Sequence, residues 1–269
     1  MSVVEIERGA GVMIIRMNRP ERMNALGMEM RDALADAWCE FRDSRELEVA
    51  IFTGTGRAFC AGEDMKESVA RGAAGSAAAP TRRENPYNDG TIDKPVIVAI
   101  NGYAMGGGFK LVERADLRVA VRGATFESSE AKRWLLGGYD HGVNGNLPHT
   151  VATELAFAFR FKAERLYEVG FVNRLVDADE LLPTAREMAA HLLTLPPASR
   201  VNTLIMMRAM RPRVPDELEQ LAARLKDHGA KEDLMESRRA FAEKRPPRFK
   251  GWDDPEDRHR TPKLQSERK

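Results

Sequence analysis

The sequence is short of the features that would assign it to a specialised class. Its 269 residues contain two cysteines, Cys39 and Cys60. Two cysteines exclude a disulfide framework, offer no zinc-ligand spacing, and fit a reducing compartment. Charge of neither sign dominates: 42 lysines and arginines face 41 aspartates and glutamates, a formal net charge of +1. That balance argues against a polyanion binder or a membrane-surface protein. No apolar run approaches the roughly 18 residues that a spanning helix needs. The opening stretch MSVVEIERGAGVMIIRM carries acidic residues and no apolar h-region, so no secretory signal is expected and a cytoplasmic location is. Neither GxxxxGK[ST] nor GxGxxG occurs, which removes the common phosphate-loop readings.

What remains is the composition of a globular protein, 43% hydrophobic and 31% charged. Val3 to Glu7 and Val12 to Met17 flank Gly9 to Gly11 as a hairpin. Met28 to Arg42 has helical spacing, through Met30, Leu34, Ala37, Trp38 and Phe41. Val49 to Thr53, Pro95 to Ile100 and Leu117 to Val121 read as buried strands, with a helix between Gly106 and Ala115. Strands alternating with helices predict parallel, crossover-connected β-structure. Residues 68 to 93 are small, polar and turn-rich; a few helical residues and then a mobile loop are expected. Beyond residue 148 the pattern turns helical: Pro148 to Ala158, Ala163 to Gly170, Asp179 to Leu195, Val201 to Met210, and Asp216 to Glu243 split near Gly229. Val172 to Val176 is the one strand candidate there. After Arg245 the chain is charged and proline-rich, without apolar periodicity, and is expected to be disordered or held on a partner.

Two glycine-bearing turns suggest chemistry. Ala58-Phe59-Cys60-Ala61-Gly62-Glu63-Asp64 follows one buried strand; Asn101-Gly102-Tyr103-Ala104-Met105-Gly106-Gly107-Gly108 follows another and opens a helix. Glycine lets a ligand approach the backbone, and the first N–H groups of a helix have no partner within it. Two such turns side by side would offer two N–H donors to one oxygen, the geometry that stabilises an enolate or oxyanion. A glycine triplet alone is also what tight packing requires.

Taken together, Asn24-Ala25-Leu26, Arg57 to Asp64, Asn101 to Gly108, Ala115-Asp116-Leu117-Arg118, Gly170-Phe171-Val172-Asn173 and Ala240 to Arg245 resemble the crotonase (enoyl-CoA hydratase/isomerase) superfamily over roughly residues 3 to 250. The resemblance implies an α/β fold, with a core of repeated ββα units in a spiral and a helical C-terminal trimerisation region. It implies residues 1–200 as core with the acyl-CoA site, 201–250 as the oligomerisation region and 251–269 as a charged tail. Ala61 and Gly107 match the backbone donors to the thioester oxygen. Asn24, Ala25, Leu26, Arg57, Ala58 and Phe59 match segments along the CoA moiety; Phe241 and Lys244 match residues that reach a neighbouring subunit's CoA. No permanent cofactor or metal is implied, coenzyme A entering as part of the substrate. The partners implied are the acyl-CoA and further copies, as a homotrimer or dimer of trimers, with no nucleic acid and no membrane.

The acid/base positions depart from the family pattern. Of its two usual glutamates, one matches Glu130 and the other is replaced by Lys110. A lysine near Glu130 would hold the carboxyl ionised, a better base and a poorer acid; an i, i+3 pairing of Lys110 with Glu113 is the alternative. The segment Leu136 to Asn146 places Tyr139, Asp140 and His141 where simple hydratases have small residues. Asp140 and His141 are therefore acid/base candidates, the imidazole titrating near neutrality, or a plain surface turn. Asp64 is expected to cap the helix from Met65. Cys60 is expected to pack, and His149, His191 and His228 to be structural or exposed. The function implied is an enoyl-CoA hydratase-like lyase with Glu130 as base. The alternatives are an isomerase or C–C bond hydrolase using Glu130 with Asp140 or His141, or an acyl-CoA-binding protein with degraded catalysis.

Overall fold

The structure, a computed structural model, describes residues 2–71 and 84–264. The chain forms two compact units, each assembled from separated segments. The first comprises Met1–Asp64, Ala74–Glu127 and Arg160–Arg211; the second comprises Met65–Ala73, Ser128–Phe159 and Pro212–Lys269.

In the first unit β1 (Val4–Gly9) and β2 (Val12–Met17) make the expected hairpin, Gly9 pairing with Val12. β3 (Val49–Gly54), β4 (Ala58–Cys60), β5 (Val96–Ile100), β6 (Tyr103–Met105), β7 (Leu117–Val121), β8 (Thr125–Glu127), β9 (Phe161–Lys162) and β10 (Arg174–Val176) follow. They form a six-stranded sheet in the order β1-β2-β3-β5-β7-β10 and a four-stranded sheet in the order β4-β6-β8-β9. From β2 to β10 the larger sheet is parallel. Each of β3, β5 and β7 is followed, after a tight turn, by a three-residue strand of the smaller sheet. The mixed α/β architecture matches the expected ββα repetition.

β3 and β5 are buried along their whole length, as parallel central strands are when helices cover both faces. Alternation along β3 sends Ile51 toward a cluster with Ile97, Val119 and Ala185 and Ala189 of α8 (Leu181–Thr194). It sends Phe52 the other way, into an aromatic group with Trp38 of α1 (Met28–Asp43) at 5.2 Å and with Phe59 at 5.2 Å. Tyr87 completes that group, stacked on Trp38 at 4.4 Å, and comes from a region expected to be mobile. The short helix α3 (Pro86–Asp89), capped by the Asn85 side chain, pins it there, and its hydroxyl donates to the Leu111 carbonyl. The rest of the expected loop, 72–83, lies outside the described residues. The helical start anticipated at residue 68 belongs to α2 (Met65–Arg71), in the second unit.

The first unit also holds α4 (Gly107–Arg114), α7 (Ala163–Glu168) and α9 (Pro197–Ala209). The expected boundary at residue 200 does not divide the units. α9 stays with the sheet because Arg208 reaches Asp116 at 2.6 Å and 2.8 Å. The second unit holds α5 (Tyr139–Asn144), α6 (His149–Ala156), α10 (Asp216–Leu225) and α11 (Glu232–Ala242), so the long C-terminal pattern does split around Gly229. The tail is not loose as far as residue 251. Asp233, in the first turn of α11, accepts the Lys250 and Gly251 N–H groups at 2.8 Å and 2.9 Å, and Glu236 accepts that of Arg248. Among the described residues no helix is long and apolar enough to cross a membrane.

The aromatic stack generates a stability prediction. Tyr87→Ala should destabilise the chain by about 3–5 kcal/mol, as for other buried aromatic truncations. Tyr87→Phe, which keeps the ring, should cost about 1 kcal/mol. Equal losses in denaturant titrations of the two variants would show that the ring does not anchor this segment.

Candidate active site

In the first unit, parallel pairing of β4 with β6 (Ala58 with Tyr103, Cys60 with Ala104) lays the two glycine turns against each other. Gly62, at φ +84°, sits so close that a Cβ there would lie 2.6 Å from the Met105 carbonyl oxygen and 3.2 Å from the Gly107 nitrogen. No side chain fits between the turns, which is why glycine is needed. Gly107 is the first residue of α4, and its N–H finds no hydrogen-bond partner among the described residues.

The expected second donor, Ala61, needs correction. Its N–H donates to the Met23 carbonyl at 3.0 Å, so it is committed to holding the 23–26 loop. The Gly62 N–H faces Cys60 Sγ at 3.4 Å, and the Gly62 carbonyl accepts from Leu26 N–H at 2.7 Å. A trans peptide points its N–H opposite to its carbonyl. With the Gly62 carbonyl turned to Leu26, the Glu63 N–H of the same peptide is turned away from it.

Several residues expected along CoA have side chains that serve the fold. Asn24, at φ +56°, is fully buried: Oδ1 accepts from Arg19 N–H, while Nδ2 donates to the Thr55 and Ala58 carbonyls. Its side chain is thereby used up in tying the loop to β4. Phe59 and Ala58 are core residues, and Ala25 is buried. Leu26, also buried, reaches within 3.2 Å of where a Gly107 Cβ would be. Arg57 is exposed. Asp64, expected as a helix cap, is a buried carboxylate paired with Arg19 at 3.2 Å and Arg22 at 2.5 Å. Cys60 is fully buried, and burial pushes its thiol up to about 12, so it stays neutral and is no nucleophile at ordinary pH.

In the second unit Glu130 opens a single 3-10 turn, Glu130–Lys132. Its Oε2 accepts from the Ser128 hydroxyl at 2.7 Å, and its Oε1 lies 3.2 Å from Nε2 of His141 on α5. Ser128 and His141 are fully buried, whereas the Glu130 side chain is 18% exposed. His141 is thus no surface turn. It also has no exposed surface of its own to offer a ligand, so any influence it has passes through the groups it touches, Glu130 among them. Gly138 makes room for both partners: a Cβ there would run into the imidazole and the Ser128 hydroxyl. Asp140, the neighbour of His141 on α5, is partly buried. Tyr139 donates to Glu219 of α10 at 2.7 Å, and burial followed by that carboxylate raises the phenol further above its ordinary range. Phe241 is 55% exposed beneath the Arg133 guanidinium, 4.6 Å from it, and Lys244 is exposed beside it in sequence.

Sequence reasoning missed Ser128, because a side-chain bond to the Glu130 carboxylate leaves no signature in residue spacing. It also missed Gly138, whose need becomes visible only with the imidazole in place.

Comparison with known proteins gives the class. The enoyl-CoA hydratase/isomerase family model matches residues 7–252. The chain belongs to this family, the crotonase superfamily, and has its fold. Among relatives, the mevalonyl-coenzyme A hydratase of Aspergillus fumigatus is 35% identical over 256 residues, covering 89% of this chain and 91% of that protein. The carnitinyl-CoA dehydratase of Salmonella typhi is 34% identical over 257 residues, covering 92% and 98%. A carnitinyl-CoA hydratase structure from Mycobacterium avium superposes with a TM-score of 0.79 at 29% identity, covering 93% and 99%.

The crowding at Gly138 makes a prediction. Gly138→Ala should displace the imidazole from Glu130 and lower turnover by roughly tenfold or more, in line with the cost of misplacing a catalytic group. Cys60→Ala should leave turnover within about threefold, a neutral buried thiol having no chemical part to lose. The reverse ranking in steady-state assays would refute this account of the two sites.

Proposed function

We propose that this enzyme adds water to, or removes it from, the carbon–carbon bond next to the carbonyl of an acyl-CoA thioester. The observation that carries the reading is the Gly107 N–H at the start of α4, unpaired among the described residues and set against the Gly62–Glu63 peptide. The thioester oxygen takes hydrogen bonds from the Gly107 N–H and from the Glu63 N–H, whose peptide turns its carbonyl to Leu26. Donors held in advance where negative charge develops lower the barrier to the enolate.

Glu130 is the base. The Ser128 hydroxyl holds one carboxylate oxygen, and the imidazole fixes the other. In hydration, Glu130 takes a proton from water as the oxygen attacks the β-carbon. The electron pair passes through the α-carbon to the thioester oxygen, and the same carboxyl returns its proton to the α-carbon. The reverse sequence eliminates water, so one carboxyl cycling its proton balances the reaction with lysine at position 110. Relatives named hydratase and dehydratase at 34–35% identity over most of the chain support water chemistry over isomerisation. A carboxylate retaining both its partners favours an enzyme over a binding protein. For C–C bond hydrolysis, the Glu130–His141 contact is the supporting observation, with His141 acting through Glu130.

Arg57, Phe241 and Lys244 are the exposed candidates for CoA contacts. A trimer or dimer of trimers belongs to the same proposal, supported by the exposure of Phe157, Phe159, Met206 and Met210 at 59–70%. Sedimentation at micromolar concentration should give three or six copies; a monomer would remove this part.

Crotonyl-CoA and longer enoyl-CoAs should be hydrated, read as loss of enone absorbance. Glu130→Gln should lower kcat by about 10²–10⁴-fold. Proline is tolerated at the first position of a helix, so Gly107→Pro deletes one donor while sparing α4; it should lower kcat by about 10²–10³-fold. Gly107→Ala, which keeps the N–H, should do far less. Full activity in Gly107→Pro would rule out the oxyanion role, and no turnover on any chain length would rule out hydration.

A further inference from the structure

We infer that Arg118 is a positioning residue for thioester polarisation, acting through α4 from the end opposite Gly107; the inference rests on the oxyanion reading above. α4 has eight residues, about 12 Å at the usual helical rise. Its last carbonyls have no partners within the helix. Arg118, at the start of β7, turns back to them: Nε donates to Val112 O at 2.9 Å, and Nη2 to Glu113 O at 2.8 Å and Ala115 O at 3.1 Å. Arg211 supplies Arg114 O at 3.0 Å and Ala115 O at 2.9 Å. Every carbonyl from 112 to 115 therefore meets a guanidinium.

The two arginines differ in charge balance. Arg211 shares Asp116 with Arg208, so its charge is largely offset. Arg118 hydrogen-bonds no carboxylate among the described residues, Glu113 and Asp116 acting on it only through space; its hydrogen-bond partners are backbone carbonyls, Phe171 O at 3.5 Å included. It lies over the Phe171 ring at 4.4 Å, and that ring stacks on Phe109 of α4 at 5.5 Å. Burial lowers its pKa to about 10, so the cation persists at neutral pH.

In a helix this short the negative pole lies close enough to weaken the positive end. A cation bonded to the terminal carbonyls cancels that pole and leaves the Gly107 end more strongly positive. The Arg118–Phe171–Phe109 stack also fixes the direction of α4, and with it the aim of the Gly107 N–H. Arg118 thus raises the polarising power of the donor without belonging to the group that meets substrate.

The test uses an aryl-conjugated enoyl-CoA, whose absorption moves to longer wavelength when its carbonyl is polarised. The wild-type chain should shift it to the red on binding. Arg118→Gln keeps a donor for the carbonyls and removes the charge; it should shrink the red shift and lower kcat by about tenfold, with KM within about threefold. Arg118→Lys restores the charge and should recover most of the shift. A full red shift in R118Q, or an R118K shift no larger than that of R118Q, would overturn the inference. If R118Q does not fold, loss of the shift in a folded R118K overturns it as well. A wild-type chain that binds the thioester without any red shift would sink the oxyanion reading and this inference together, whereas a shift surviving in R118Q sinks the inference alone.

Discussion

The pairing of two three-residue strands, β4 and β6, is the contact on which the proposed chemistry of the first unit depends. It brings one backbone turn against another with no side chain between them, and glycine at 62 is what that approach requires. Around it the polar groups are assigned to fixed partners: Ala61 N–H to Met23, Leu26 N–H to Gly62, Asn24 to three backbone groups. Among the described residues the Gly107 N–H is left over, at the positive end of a helix. A donor with no internal partner costs stability and is ready for a ligand, which is the exchange an oxyanion site makes.

The second unit organises a carboxylate by the opposite means. Glu130 is supplied with partners, a hydroxyl on one oxygen and an imidazole on the other, both withdrawn from solvent. Burying Ser128 and His141 while leaving the carboxylate partly exposed gives each a distinct task. In the proposed mechanism the exposed group moves the proton, and the buried ones hold its orientation. Lys110 in place of a second glutamate is compatible with this, because one carboxyl that returns the proton it takes does not need a partner of different pKa.

Much of the scaffold was legible because its signals are local. β7 and β2 fall where the apolar runs put them, α1 follows its 3.6-residue spacing, and the break at Gly229 separates α10 from α11. The strands of the smaller sheet were not placed individually because two or three residues are too few to show a period. Tyr87 looked like part of a mobile loop because nothing near it in sequence announces the Trp38 ring on which it stacks. The tail after Arg245 looked unattached because its partners, Asp233 and Glu236, are acidic side chains on the preceding helix.

The sequence by itself determined the family, the glycine turns and the single retained glutamate, since these are properties of residue type and order. Only the tertiary structure decided which amides remain available, that Ala61 is spent on Met23, and that His141 is sealed behind Glu130. The reason is physical: a backbone N–H carries no mark in sequence of whether its hydrogen bond is already made, and burial is a property of neighbours that lie far along the chain.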